Sequence, residues 1–182
     1  MSVDPEAIEV ARIRDGAHPG NPIDDAGDDG AKCQLLGATG EVLFARTCGL
    51  PVDKRALPGG DGGVDFVAEF LTTHGRGTRV VTIDVKSAQA ALFLFIKEPD
   101  IVRCADILVL CALDGPKATE KNPNPLRTPR LVGWEHKAVM QLMPVADFGH
   151  GQRNYYRAAS ELRPMSQLSA ILALRHKPWA GK

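Results

Sequence analysis

Two short stretches alternate apolar and polar side chains with a period of two, and the segment between them is too rich in turn formers to continue either. In Arg79–Lys86 the odd positions Val81, Ile83 and Val85 are apolar, while the even ones carry Thr82, Asp84 and Lys86. In Val64–Phe70 the even positions Val64, Phe66, Ala68 and Phe70 are apolar, and the odd ones carry Asp65, Val67 and Glu69. Successive side chains of a strand point to opposite faces, so each stretch reads as a half-buried strand. The segment Thr72-Thr73-His74-Gly75-Arg76-Gly77-Thr78 between them predicts a hairpin. A slip of one residue would put one apolar row in water, so both polar rows share a face. A hairpin centred on Gly75-Arg76 sets Asp65 opposite Lys86 at about 5 Å, with Asp84 diagonal to Asp65 at about 7–8 Å. A bulge in the loop shifts the pairing by two residues and leaves the shared face intact.

Two carboxylates so close repel unless a cation or a shared proton relieves them. Oxygen ligands suit a hard divalent ion such as Mg²⁺, which takes one or two carboxylates plus waters and phosphate oxygens. Such an ion polarises a phosphodiester and acidifies a bound water, and a lysine beside it steadies the developing charge. Metal-assisted phosphodiester hydrolysis is the reaction class this cluster points to. The competing reading is plain: Asp84 and Lys86 are the solvated side of an edge strand.

Gly63-Val64-Asp65-Phe66, a hairpin, and Val81-Thr82-Ile83-Asp84-Val85-Lys86 together resemble the motif of the PD-(D/E)XK nuclease superfamily, over roughly residues 31–113. Val64 stands where that motif usually has proline. The resemblance implies an α/β fold with a restriction-endonuclease-like core, a mixed β-sheet flanked by helices. It implies Asp65 and Asp84 as metal ligands, the Val85 carbonyl as a further one, and Lys86 as the catalytic lysine. Glu41, within Gly37-Ala38-Thr39-Gly40-Glu41, matches the glutamate that a preceding helix presents, acting through water or as an outer ligand. The implied cofactor is Mg²⁺ or Mn²⁺ and the implied substrate is DNA. The small size leans toward a structure-selective or phage-type endonuclease. A Holliday-junction resolvase would need a homodimer, since two cuts need two sites. The alternative is the same fold with a weak or inactive site, acting as a nucleic-acid or protein-binding module.

The remaining chain is organised around this core. Residues 1–29, rich in Asp, Gly and Pro, read as an acidic and mostly mobile arm, with a short helix over Pro5–Arg14 as an option. Residues 30–182 read as one domain with a basic C-terminal extension. Leu35, Ala38, Val42 and Ala45 predict a helix over 31–48, stopped by Gly49 and Pro51. Ile107–Leu113 is apolar throughout, as in a central strand covered on both faces. It is far short of the ~20 residues a membrane span needs. Further strands are expected at Leu92–Ile96, Arg130–Trp134 and Tyr155–Ala158, a helix over Glu135–Met143, and another starting near Pro164–Ser166. Leu92, Leu94 and Ile96 form a core row or, at most, a dimer surface.

The net charge of zero conceals an asymmetry. Residues 1–30 hold eight acids against Arg12 and Arg14, a net −6, while the remainder holds 20 basic and 14 acidic residues, a net +6. That permits a phosphate-binding face. Candidate contacts to DNA are Arg76 at the hairpin tip, Gln89 just past Lys86, and His150, Arg153, Tyr155 and Arg157, where glycines, cations and aromatics mix. Cys33, Cys48, Cys104 and Cys111 lack metal-site spacing and read as free thiols. The first residues carry neither a basic nor an apolar leader region, so the expectation is a cytoplasmic protein with no membrane association.

Overall fold

The computed structural model describes residues 4–16, 28–54, 63–71, 77–89, 92–114, 128–149 and 151–173. Four helices are among them: α1 (Pro5–Gly16), α2 (Asp28–Cys48), α3 (Lys137–Met140) and α4 (Met165–Ile171). The strands are β1 (Phe66–Leu71), β2 (Thr78–Ala88), β3 (Phe93–Lys97), β4 (Ile107–Asp114), β5 (Thr128–His136), β6 (Val145–Asp147), β7 (Arg153–Ala158) and β8 (Leu172–Ala173). They form a five-stranded sheet of order β5-β4-β2-β1-β8 and a three-stranded one of order β3-β7-β6. In the larger sheet β2 and β4 run parallel and every other pair is antiparallel. The fold is therefore mixed α/β, with a mixed sheet flanked by helices.

Alternation in β1 and β2 decides what each face of that sheet meets. Phe66 and Ala68 from β1 and Val81, Ile83 and Val85 from β2 join Ile107, Val109 and Cys111 of β4 in one core with Phe44, Ala45 and Cys48 of α2. Helix α2 comes close because Gly40 has no side chain: a Cβ there would lie 3.1 Å from Cys111 Cβ and collide with Ser87 Oγ. The helix stops at Gly49, whose φ of 67° suits glycine. Leu50 N–H closes the end on the Ala45 carbonyl at 2.8 Å, the six-residue bond of a Schellman cap.

The opposite face carries Leu108 and Leu110, and these pack with Leu94 and Ile96 of the smaller sheet, Ile101 and Met140. Strand β4 is thus buried on both faces from Ile107 to Leu113, as its unbroken apolar run predicts. Thr82 and Asp106 fasten the parallel pair where it begins. Asp106 Oδ2 accepts from the Thr82 N–H at 3.0 Å and from its hydroxyl at 3.1 Å, and Thr82 Oγ1 accepts the Asp106 N–H at 3.0 Å.

Several expectations need correction. Glu135 and His136 end a strand rather than begin a helix, and α3 is a single turn. The strand expected at Leu92–Ile96 runs from Phe93 to Lys97 and pairs with β7 in the smaller sheet. Leu94 and Ile96 are core, but Leu92 is 68% exposed. At the N-terminus, residues 5–16 form a full helix whose Ala7, Val10 and Ala11 are buried against Ala38 and Val42 of α2. Three small apolar residues suffice for that contact, although acidic neighbours mask them in the sequence. Residues 17–27 of the expected arm lie outside the described residues.

Candidate active site

Asp84 and Lys86 lie on the face of β2 that turns away from α2. In the parallel register Asp84 neighbours Leu108 and Lys86 neighbours Leu110, the two leucines covered by the smaller sheet. Asp84 is buried, with its side chain 4% exposed, and Lys86 Nζ stands 2.7 Å from its Oδ2. The lysine is 43% exposed, so the pair runs from a buried carboxylate to a solvent-facing ammonium. Cys104 is close enough for its thiol to feel this pair. Burial pushes that thiol up first, and the charges of Lys137, Asp84 and Lys86 act on it as well.

The hairpin register differs from the expected one by two residues. Phe66 pairs with Ile83 and Val67 with Thr82, so on this register Lys86 lies beyond the end of the β1 ladder and is not opposite Asp65. The polar rows still share a face, since Val67 and Thr82 pair directly. Asp65 stands just outside β1, and its N–H donates to the Ile83 carbonyl at 2.9 Å although Phe66 is the register partner of Ile83. The ladder thus ends at Asp65, whose carboxylate takes up the next backbone donor of β2. Asp65 Oδ2 accepts the Val85 N–H at 2.6 Å, which holds this oxygen next to the peptide linking Asp84 to Val85. Standard backbone dimensions then put it within about 5 Å of the Asp84 Cα. Gly63, at φ 78°, lets the chain pass over the pair: a Cβ there would be 3.5 Å from Asp84 Oδ2.

Glu41 is also buried, but its partner is elsewhere. Arg14 of α1 grips it with two short bonds, Nη1 to Oε1 at 2.6 Å and Nη2 to Oε2 at 2.7 Å. Helix α2 packs on the Val85 and Ser87 side of β2, across the sheet from the Asp84 row. Among the described residues no three His, Cys, Asp or Glu side chains group as a shared metal ion would need. Of the residues expected to hold a cation, Asp65, Asp84 and Val85 come together where the β1 ladder ends, and Glu41 does not join them.

Compared with known protein families, curated proteins and solved structures, the chain matches none of them significantly. Its site must be read from its own geometry.

The expected DNA contacts divide. Gln89 is exposed just beyond the end of β2. Arg76 and His150 lie outside the described residues. Arg153 is exposed and pairs with Glu98 at 3.4 Å. Tyr155 turns inward onto the core beneath the smaller sheet. Arg157 is mostly buried and bound to Glu135, its Nη1 2.8 Å from Oε2. Glu135 also holds Arg163 at 3.1 Å, and the Arg163 guanidinium lies 5.5 Å from the Trp134 ring centroid. Arg157 and Tyr155 are thus structural in this arrangement. Sequence reasoning missed the Arg14–Glu41 clasp and the Glu135 cluster, because partners so distant in the chain leave no local pattern.

Proposed function

We propose that the chain is a metal-dependent nuclease that hydrolyses DNA phosphodiester bonds, with Asp65, Asp84 and Lys86 as its working groups. The observation that carries this reading is the corner where the β1 ladder ends: two carboxylates flank one peptide and an ammonium lies against the buried one. A restriction-endonuclease-like core is part of the same proposal. Asp65, Asp84 and the Val85 carbonyl would hold Mg²⁺ or Mn²⁺, which supplies Lewis acidity and an acidified water when bound. Lys86, anchored by Asp84 yet half-exposed, sets a positive charge where a phosphate would dock and charge would build. Burial of Asp84 lowers the local dielectric and strengthens each of these interactions.

The test is nicking of supercoiled plasmid with Mg²⁺ or Mn²⁺ by wild type, Asp84→Ala and Lys86→Ala. Each substitution is expected to slow cleavage on the order of 100-fold or more. Equal cleavage by wild type and Asp84→Ala would end the proposal. A second reading draws on the Arg14–Glu41 clasp and the want, among the described residues, of a third acid at the corner: a nuclease-like domain that binds DNA or protein without cutting. It predicts DNA retention at low salt with no metal-dependent nicking in wild type.

A further inference from the structure

The outer face of the three-stranded sheet has no role in the site described above. Alternation sends Leu94 and Ile96 of β3 inward, so Phe93, Phe95 and Lys97 stand outward. Across the antiparallel ladder Phe95 faces Tyr156 and Lys97 faces Asn154. Phe148, just past β6, completes a cluster in which Phe95 and Phe148 are 4.8 Å apart and Phe148 and Tyr156 5.2 Å, centroid to centroid. Phe93 touches Phe95, Phe148 and Tyr156 at 5.6 to 5.9 Å. Four of the chain's ten aromatic residues thus gather on one sheet face. Phe95 is 37% exposed and Phe148 42%.

Aromatic side chains left at a surface forgo the burial that usually justifies them, and such a patch generally marks an interaction site. The composition here favours one kind of partner. No described ring pair in the cluster is stacked face to face, and Phe95 and Phe148 keep more than a third of their surface open for a flat ligand to meet. The outward row of β3 and β7 carries a lysine and an amide and no carboxylate. Among the described residues, Glu98 at the rim pairs with Arg153 and Asp147 accepts the Gly149 N–H. Bases stack on aromatic rings whatever their sequence, and a neighbouring cation meets the phosphates.

We infer that the outer face of the β3-β7-β6 sheet is a stacking platform for single-stranded nucleic acid. This rests on the nucleic-acid reading of the chain, and narrows its substrate to DNA with an unpaired segment. The platform works without a metal and lies on the other side of the smaller sheet from Asp84 and Lys86.

Fluorescence anisotropy of a labelled oligothymidine, in EDTA at low salt, tests it on the full chain. Wild type should bind the oligothymidine more tightly than a duplex of equal length. Phe95→Ala and Phe148→Ala should each weaken that binding about fivefold or more, and Phe95→Tyr, which keeps the ring, should restore it. Lys97→Gln should reduce the salt dependence by about one ion. Binding within twofold of wild type in both alanine variants, with unchanged thermal melting, would overturn the inference. So would sedimentation showing a wild-type dimer that the alanine substitutions dissociate, since the face would then be a contact between copies. The nuclease reading falls separately, through unimpaired nicking by Asp84→Ala. If the ring variants bind normally while Asp84→Ala fails to nick, only the platform is lost.

Discussion

The carboxylate of Asp65 accepts the N–H of Val85 at 2.6 Å, so a side chain completes the sheet where the β1 ladder ends. The same residue is a proposed metal ligand, and structure and chemistry therefore make different demands on one carboxylate. Substitutions that keep or remove its oxygen separate them.

Asp65→Asn retains an acceptor for Val85 and should fold within about 1 kcal/mol of wild type, whereas Asp65→Ala strands that N–H and should cost about 1–3 kcal/mol. Both should lose metal-dependent nicking. Urea denaturation beside the plasmid assay checks this, and an alanine variant as stable as wild type would show that the bond contributes little.

Arg14→Ala leaves the buried Glu41 carboxylate without its clasp, and such a loss typically costs about 3 kcal/mol or more. A lowered urea midpoint is expected, with part of the loss recovered when Glu41→Gln is added. No recovery would mean that Arg14 acts through packing alone.

At Gly40 an added methyl group improves helix propensity by about 1 kcal/mol, but overpacking costs about 1–3 kcal/mol. The Cβ would press on Cys111 and Ser87, so Gly40→Ala should lower the melting temperature. A rise would mean that α2 can retreat from the sheet.

His136 has its pKa lowered, chiefly by burial and then by the positive charge of Arg163. A folded-state value below the unfolded one means the unfolded chain binds the proton more readily. The stability this provides is present above about pH 6.5 and is lost as pH falls through the lowered folded value. Urea midpoints at pH 7.5 and 5.5 should differ more for wild type than for His136→Gln.

Burial raises the thiols of Cys48 and Cys111 to about 11 each. At pH 8 neither should react with iodoacetamide in the folded protein, while both should react in urea. Mass spectrometry of the alkylated chain reads this directly.

Much of the architecture was legible because period and burial leave local traces. The alternation of 64–70 and 79–86, the apolar run 107–113 and the Gly49 stop each correspond to a described element. The helix expected over Glu135–Met143 is only the turn Lys137–Met140, since Trp134 and Glu135 are buried on opposite faces of a strand edged by the Arg163 bridge. In Leu92–Ile96 the core row was legible for Leu94 and Ile96, while Leu92 lies before the strand begins and is exposed, an end that the alternation does not mark.

The sequence alone determined that the β1 and β2 strands form a hairpin whose polar rows share a face, with Asp84 and Lys86 on one of them, because side-chain direction follows residue parity. It could not determine the register, since a shift of two residues preserves every facing, and only the folded ladder, with Phe66 opposite Ile83, settles which residues meet. Nor could it assign Glu41, whose partner depends on how α1 lies on α2. Such choices are made by packing between segments far apart in the chain, where geometry rather than local pattern decides.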